Sequence, residues 1–371
     1  MIYLDYNATT PMKPAVRAAL LEAMERVGNP SSVHRYGRIA RRHMDEARAW
    51  VAAMVGVKPT QVIFTSGGTE ANVLALRGIG APEIITSVIE HDSVLGNSST
   101  AKRLPVDRRG LVDLAASEDV LKNAPAGSLV SVMLVNNETG VIQPVAEIAR
   151  LAKSYGHKMH SDAVQAAGRL PIDFAALGVD ALSLSAHKIG GPQGIGALIV
   201  AEKLALQAPY RGGGQEMNRR AGTENVAGII GFGVAAQLAV DDLRDTLRLA
   251  SLRDGLQKKL LALAGDYAVA MGTEAPRVAN TLSIAMRSLS GETQVAAMDL
   301  SGVAVSAGSA CSSGKVKASH VLRAMGYADD VAGAALRISL GWNTSAEDIE
   351  RCAEAWKTLY QRVRHQKSQA A

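Results

Sequence analysis

The spacing of apolar residues changes along the chain and divides it into helical and extended stretches. Apolar side chains recur at helical spacing between Val16 and Val27, which predicts a helix over residues 15–26. From residue 62 onward, short apolar runs rich in β-branched residues alternate with helical patterns. The runs are residues 62–65, 83–87, 129–134, 158–160, 181–184 and 196–200. This alternation predicts βαβ units, and therefore an α/β fold with a mostly parallel central sheet flanked by helices.

A second, smaller unit follows. Residues 225–263 form a long helical pattern, beyond which strands are predicted at residues 280–284, 303–305 and 336–340. A chain of 371 residues is also long for one compact unit. The expected divisions are an N-terminal segment, 1–14, that packs with the small domain, a large domain over 15–245 and a small α+β domain over 246–371.

Composition and charge exclude several classes of protein. The net charge of +5 is spread along the chain without an aromatic-interleaved basic motif, so we expect no nucleic-acid partner. Two cysteines, Cys311 and Cys352, cannot build a disulfide framework and favour a reducing compartment. The first residues show no secretory signal, and the most apolar stretch, 226–240, is shorter than the roughly 20 residues of a membrane span. We expect a cytoplasmic protein without a membrane partner and interpret 226–240 as a buried helix.

A lysine follows one of the buried runs. Residues 182–188 read Leu-Ser-Leu-Ser-Ala-His-Lys, which predicts a buried strand that presents Lys188 beside a glycine-lined opening. Loss of solvation disfavours the ammonium form, and a neutral amine forms a Schiff base with the aldehyde of pyridoxal phosphate. The alternative is a lysine that leaves the strand end for water, which is the commoner situation for any single lysine.

Other predicted strands also end in polar groups. The turn Gly67-Gly68-Thr69 opens a helix, where free amides attract an anion such as phosphate, although a plain strand-to-helix turn explains it equally well. Asp162 could pair with the pyridinium nitrogen of the cofactor or cap a helix. His91 could stack on a ring, transfer protons or simply pack, and Asn137 could bind an oxygen or belong to a turn. Because strand ends of a parallel sheet meet at one edge, these groups together indicate a cofactor site.

The two cysteines have different settings. Cys311 lies in a run of small residues, 306–315, which suits an exposed loop and favours a reactive thiol. Cys352 lies on the last predicted helix near Trp356, which favours a packed side chain. Arg337, within the predicted strand 336–340, is a candidate for a bidentate grip on a carboxylate. A salt bridge within the small domain is the alternative.

Eight segments of the chain carry a resemblance to a known family. In order they are residues 3–11, 28–32, 65–72, 90–91, 136–138, 185–188, 220–223 and 308–311. They resemble the motifs of cysteine desulfurases of the NifS/IscS type, within the class V aminotransferase group of fold-type I pyridoxal phosphate enzymes. The resemblance runs from residue 2 to about residue 358, and the order of its motifs makes it specific. Ala221 departs from it, since the family often has serine there.

The resemblance implies a role for each matching residue. Lys188 would hold pyridoxal phosphate as a Schiff base and act in catalysis with His91 and Cys311, the nucleophile that takes sulfur. Asn137 and Arg337 would bind the substrate carboxylate. The other implied cofactor contacts are Asp162 with the pyridine nitrogen, Gln165 with the ring hydroxyl, His91 stacked on the ring and Asn137 with a cofactor oxygen. Gly68, Thr69, Ser185 and His187 would hold the phosphate, joined by Thr223 from the neighbouring subunit of a homodimer.

The implied activity is that of a pyridoxal phosphate-dependent sulfurtransferase. L-cysteine would yield L-alanine and a persulfide on Cys311, with the sulfur passed to an acceptor or an iron–sulfur scaffold protein in cluster assembly. No resident metal is expected, although Cys311 could contact an iron–sulfur cluster transiently. A selenocysteine lyase or another class V aminotransferase-type enzyme is an alternative within the fold. A non-catalytic sulfur carrier is the alternative from another class of protein.

Overall fold

Helices and strands alternate along the chain, as the apolar spacing predicts. The computed structural model describes residues 1–308 and 318–370. In chain order the strands are β1 (Ile2–Tyr3), β2 (Val62–Thr65), β3 (Ile84–Ser87), β4 (Lys102–Leu104), β5 (Leu129–Ser131), β6 (Lys158–Asp162), β7 (Ala181–Ser185), β8 (Gly196–Val200), β9 (Ala268–Met271), β10 (Thr281–Met286), β11 (Val303–Ala304), β12 (Ser306–Ala307) and β13 (Ala335–Ser339). The helices are α1 (Pro14–Met24), α2 (Arg35–Met54), α3 (Gly68–Gly78), α4 (Asp92–Leu95), α5 (Leu114–Lys122), α6 (Val145–Ser154), α7 (Phe174–Leu177), α8 (Gln215–Asn218), α9 (Val226–Asp242), α10 (Thr246–Ala264), α11 (Gly291–Leu300), α12 (His320–Ala324), α13 (Asp329–Ala332) and α14 (Ala346–Ala370).

A seven-stranded sheet forms the body of the protein, in the order β2-β8-β7-β6-β5-β3-β4. Neighbours from β4 to β7 are parallel, whereas β8 runs antiparallel to both β7 and β2. Both faces are buried: Phe64 of β2 packs in a cluster with Phe232 of α9, while the adjacent Ile63 packs in another cluster with Leu74 of α3. Strands covered on both faces need continuous apolar runs, which explains why the pattern located them. The predicted α/β fold is confirmed.

A four-stranded antiparallel sheet, in the order β12-β13-β10-β9, lies in the C-terminal part of the chain. Its apolar side chains share one cluster with Leu256 of α10 and Trp356 of α14. Ile2 and Leu4 join the same cluster, and β1 pairs in parallel with β11. The N-terminal segment therefore contacts elements from the far end of the chain. The division into residues 1–14, 15–245 and 246–371 stays a prediction.

Several strand boundaries differ from the prediction. The run at 129–134 is a strand only to Ser131, because the N–H of Met133 donates to the carboxylate of Glu90 at 2.9 Å instead of to a neighbouring strand. Likewise β7 ends at Ser185, and Lys188 lies on the following 3₁₀ turn, Ala186–Lys188, rather than on the strand. The predicted strand at 303–305 is only two residues long, as β11. β4, β9 and β12 have no counterpart in the prediction.

The apolar stretch at 226–240 forms the buried helix α9, as predicted. Ile229, Phe232 and Ala236 are buried, and α9 packs against α1 and α2. By length and composition alone, the helical stretch Val226–Tyr267 would suffice to cross a membrane, and 44% of its most apolar window is buried inside the protein. A buried core helix meets the same criteria. The 3₁₀ turn Leu243–Asp245 interrupts the stretch between α9 and α10.

The N-terminal segment packs tightly against Gly341, just after β13. A Cβ atom at Gly341 would lie 1.9 Å from Cδ1 of Tyr6, which is buried. We expect Gly341→Ala to lower the free energy of unfolding by at least about 2 kcal/mol, because Tyr6 has to move. Gly255→Ala, within α10 and with open space around it, should instead raise that free energy by up to about 1 kcal/mol. Urea denaturation measures both changes, and a stable Gly341→Ala variant would contradict this packing.

Candidate active site

A cavity of about 230 Å³ opens at the carboxyl ends of the parallel strands. It is lined by Gly68, Thr69, Asn72, His91, Ser93, Met133, Val135, Asn137, Asp162, Val164, Gln165, Ser185, His187 and Lys188. Most of the predicted site residues are in this set, because parallel strands end at the same edge of the sheet. Arg337 and Thr223 are not in it, and Cys311 lies outside the described residues.

One part of the cavity is suited to an anion. α3 begins at Gly68, where a Cβ atom would lie 2.7 Å from Cγ2 of Val164, so glycine lets the helix start close to the loop after β6. Amides in the first turn of a helix have no partner within that helix. The hydroxyl oxygen of Ser185 is buried and has no hydrogen-bond partner among the described residues. Amides and a hydroxyl that converge at a helix start form a phosphate-binding arrangement.

His187 adds a neutral imidazole to the lining of the cavity. Burial, together with the positive charges of Lys188 and Arg169, lowers the pKa of His187 to about 4. Its Nδ1 lies 3.1 Å from the hydroxyl oxygen of Thr9. When that hydroxyl donates to Nδ1, the ring proton resides on Nε2 and is available to an anion.

The carboxylate of Asp162 is fixed by hydrogen bonds from two elements. Asp162 ends β6 and is 6% exposed. Its Oδ1 accepts from the N–H of Val164 at 2.9 Å, and its Oδ2 accepts from the side-chain amide of Asn72 on α3 at 2.7 Å. The same amide donates to Oγ of Ser93 at 2.8 Å, and that oxygen lies 2.8 Å from Nδ1 of His91. A continuous polar chain therefore joins Asp162 to His91.

Asn72 and Ser93 are site residues to which the sequence analysis assigns no role. Asn72 follows Gly68 by four residues, so a helix that starts at Gly68 places both on one face. Ser93 follows His91 by two residues, and its N–H donates to Nδ1 of His91 at 3.1 Å. Both side chains are buried. The signal for Asn72 in the sequence is a polar residue one helical turn beyond Gly68, on a helix and not at the end of a strand.

The N-terminal segment holds the amine of Lys188. The Nζ atom donates to the carbonyl oxygens of Asn7 at 2.5 Å and Ala8 at 2.8 Å. Gln165 also donates to the Asn7 carbonyl, at 2.9 Å, and the hydroxyl of Thr10 donates to the carbonyl of Lys188 at 2.8 Å. The predicted amine is therefore present in the cavity, with its position set by residues 7–10.

Arg337 lies beside the cavity, next to one of its lining residues. The arginine is 3% exposed and donates from Nη2 to Oδ1 of Asp5 at 2.8 Å and from Nη1 to the carbonyl of Asn137 at 3.1 Å. Its Nε is buried and has no partner among the described residues. The salt bridge considered from the sequence exists, but it joins Arg337 to the N-terminal segment instead of to a residue of the small domain.

Thr223 and the cysteines complete the set of predicted residues. Thr223 is exposed on the loop between α8 and α9 and does not line the cavity of its own chain. The residues on either side of the undescribed stretch that contains Cys311 are Gly308 and Ala318. Cys352 is completely buried, and burial raises the pKa of its thiol to about 12. It packs as predicted and has little thiolate character.

The residues of the cavity define the site of an enzyme that uses a phosphorylated aldehyde cofactor. Pyridoxal phosphate combines a phosphate, a ring nitrogen and an aldehyde in one molecule. The unpartnered Ser185 hydroxyl and the first amides of α3 fit the phosphate, Asp162 fits the ring nitrogen, and Lys188 fits the aldehyde.

Comparison with known proteins identifies the family. Residues 2–352 match the aminotransferase class-V family, and the chain belongs to this family, whose cysteine desulfurase members depend on pyridoxal phosphate. The chain is 40% identical to Cysteine desulfurase IscS of Dictyoglomus turgidum, over 98% of this chain and 95% of that protein. It is 42% identical to Cysteine desulfurase of Sinorhizobium fredii, over 98% and 97% of the two chains.

Solved structures agree with the sequence comparison. The NifS-like protein from Rickettsia africae superposes with a TM-score of 0.90 at 36% identity, covering 97% of this chain and 99% of that one. The resemblance to cysteine desulfurases of the NifS/IscS type, the fold type and the cofactor are therefore confirmed.

A second carboxyl group, that of Glu90, is completely buried next to His91. Its Oε1 accepts from the hydroxyl of Ser87 at 2.5 Å and from the N–H of Met133 at 2.9 Å. Its Oε2 has no partner among the described residues. Burial, reinforced by the charge of Asp162, raises the pKa of Glu90 to about 8.

The raised pKa of Glu90 predicts a pH-dependent difference in stability. The folded protein binds a proton at Glu90 that the unfolded chain releases above its ordinary pKa, so this residue's contribution to the free energy of unfolding falls as pH rises toward 8. Glu90→Gln stays neutral at every pH. We expect its urea midpoint to match that of the unmodified protein near pH 5 and to exceed it near pH 8.5. The exposed exchange Glu354→Gln serves as the control, and a Glu90→Gln difference that does not change with pH would contradict the burial effect.

Proposed function

We propose that the chain is a cysteine desulfurase that removes sulfur from L-cysteine, releases L-alanine and holds the sulfur as a persulfide on Cys311. The observation that carries the proposal is the cavity itself, where an amine, a buried carboxylate and the unpartnered hydroxyl of Ser185 beside the start of α3 meet in a chain about 40% identical to curated cysteine desulfurases. The sulfur would pass to an acceptor protein, and iron–sulfur cluster assembly is the pathway proposed from the relatives' name IscS.

The residues divide the chemistry among themselves. Bound pyridoxal phosphate supplies an electron-withdrawing ring, with Asp162 positioned to keep its nitrogen protonated. Asn137 and the Nε of Arg337 bind the substrate carboxylate, and the Lys188 amine moves the proton at the substrate α-carbon. His91 lies on the cavity wall, where its ring can stack on the cofactor.

The thiolate of Cys311 then attacks the sulfur of the substrate. A sulfur–sulfur bond forms while the carbon–sulfur bond of the substrate breaks, and its electron pair stays on carbon, which takes a proton to become the methyl group of alanine. One cysteine and one enzyme thiol thus give one alanine and one persulfide, without any further oxidant or reductant. The second cysteine cannot replace Cys311, because it is completely buried.

Substitution of the two cysteines tests this division. We expect Cys311→Ser to retain the coloured cofactor but to lower alanine formation from L-cysteine by at least about a hundredfold, because serine cannot hold the sulfur. Cys352→Ala is the matched control and should keep alanine formation, since that side chain only packs against the small-sheet cluster. Alanine is measured by chromatography; an unchanged rate for Cys311→Ser would overturn the proposed role.

We also propose that the enzyme is a cytoplasmic homodimer in which Thr223 contributes to the phosphate site of the partner subunit. Two features support the dimer. Thr223 is exposed and absent from the cavity of its own chain. Large apolar side chains are also exposed around α1 and the start of α2, as expected of a surface that another copy covers. They are Leu21, Met24, Val27, Val33 and Tyr36.

Mixed dimers test whether Thr223 acts between subunits. In a homodimer of Thr223→Ala subunits both active sites lack the threonine. In a homodimer of Lys188→Ala subunits both sites lack the lysine. If Thr223 serves the partner, a mixed dimer contains one complete site, so activity at limiting cofactor should recover to about half that of the unmodified dimer. If Thr223 serves its own chain, mixing restores nothing, and the proposal fails.

A further inference from the structure

The carboxyl group of Glu138 lies between the cavity and both ends of the stretch that contains Cys311. Glu138 follows Asn137, which lines the cavity, and it is 3% exposed. Its Oε2 accepts a hydrogen bond from the hydroxyl of Ser319 at 2.5 Å. The same oxygen lies 3.5 Å from the position that a Cβ atom on Gly308 would take. Gly308 ends the first described range, and Ser319 lies one residue into the second.

Both of these flanking residues are tied to the small domain. The N–H of Gly308 donates to the carbonyl of Ala335 on β13 at 3.0 Å. The N–H of Ser319 donates to the carbonyl of Ala332 at 3.2 Å, and its hydroxyl oxygen accepts from the N–H of Leu322 to cap α12. Residues 308 and 319 thus have defined positions, and Glu138 accepts a hydrogen bond from Ser319 and lies close to Gly308.

The turn that carries Glu138 is itself held in place. The side-chain oxygen of Asn136 accepts from the N–H groups of Glu138 and Thr139, each at 3.0 Å. The carbonyl of Asn137 accepts from Arg337 at 3.1 Å and from the side chain of Asn7 at 3.1 Å. A shift of the Glu138 carboxyl group would therefore disturb the residues proposed to bind the substrate carboxylate, or would break its hydrogen bond with Ser319.

We propose that Glu138 is a positioning residue for sulfur transfer, whose carboxylate holds the Ser319 end of the Cys311-bearing stretch relative to the substrate held at Asn137 and Arg337. This inference rests on the proposed cysteine desulfurase function and adds a residue to it. Glu138 acts through its neighbours and does not touch the reacting atoms.

The charge of Glu138 changes within the physiological range of pH. Burial raises its pKa to about 7, against the opposing effects of the Ser319 hydrogen bond and the charge of Arg337. Asp92 and His91, at the start of α4, act on it in opposite directions. Among the described residues, further titratable groups on neighbouring elements are His320 of α12 and Asp5, the ion-pair partner of Arg337. The ionised form accepts the Ser319 hydrogen bond more strongly than the neutral form.

The test compares the unmodified holoenzyme with Glu138→Gln, and with Glu354→Gln as the matched exchange at an exposed position. Two steps are followed separately in one turnover with L-cysteine. Substrate binding is read from the visible spectrum of the cofactor, and sulfur transfer is read as persulfide on the Cys311 peptide by mass spectrometry. Near pH 8 we expect Glu138→Gln to bind cysteine normally and to form persulfide about tenfold more slowly, the value of one hydrogen bond to a charged group.

The pH dependence distinguishes positioning from a general structural role. Near pH 6 Glu138 is largely neutral and resembles glutamine, so the tenfold difference in transfer rate should approach unity. If Glu138→Gln forms persulfide at the same rate as Glu354→Gln at both pH values, the inference is overturned. A parallel loss of cofactor, cysteine binding and transfer at both pH values would also overturn it, because it would show only structural damage.

A second variant covers the case in which Glu138→Gln does not fold. Ser319→Ala keeps the carboxylate but removes its hydrogen-bond donor and the cap of α12, so it should slow transfer near pH 8 more than near pH 6 while cysteine binding is retained. Loss of the cap alone would slow transfer equally at both pH values. Transfer at the unmodified rate would contradict the inference. Failure of the unmodified enzyme to form any persulfide would instead refute the proposed function on which the inference rests.

Discussion

The buried carboxylate of Asp162 is the constraint around which the site is organised. Removing a carboxylate from water is costly unless hydrogen bonds or a positive charge compensate. The structure supplies hydrogen bonds from the N–H of Val164 and the side-chain amide of Asn72, and neither of these donors carries a charge. In the proposed holoenzyme, the protonated ring nitrogen of pyridoxal phosphate would place a positive charge beside this carboxylate and offset part of that cost.

The N-terminal segment connects this site to the small sheet. Asn7 and Ala8 accept from Lys188, while Asp5 pairs with Arg337 and accepts from the hydroxyl of Ser306 at 2.7 Å. One short segment therefore contacts the amine proposed to hold the cofactor, the guanidinium proposed to bind the substrate and the strand that precedes the cysteine-bearing stretch. A movement of this segment would therefore shift groups that are remote in sequence. The tight packing of Tyr6 against Gly341 keeps the segment in place and so helps to maintain the geometry of the site.

Much of this arrangement was predictable from the sequence, for identifiable reasons. Strands buried on both faces leave continuous apolar runs, and a parallel sheet gathers the residues that follow them, so Gly68, His91, Asp162 and Lys188 could be grouped without coordinates. The antiparallel direction of β8 could not be predicted, because an apolar run indicates a buried strand but not the direction in which it crosses the sheet. The roles of Asn72, Ser93 and Glu138 were not predicted, because these roles depend on hydrogen bonds to residues distant in sequence. The ion pair between Asp5 and Arg337 was not predicted for the same reason, since the two residues are 332 positions apart.

The measurement that bears most directly on the whole scheme is the stoichiometry of a single turnover. Holoenzyme would be mixed with less than one equivalent of sulfur-labelled L-cysteine, then quenched and analysed for free alanine and for labelled sulfur on each cysteine peptide. We predict one alanine for each labelled sulfur, with all of the label on the peptide that contains Cys311. Alanine without a persulfide, label on Cys352, or a 2-oxo acid as the product would contradict a cysteine desulfurase that works through Cys311.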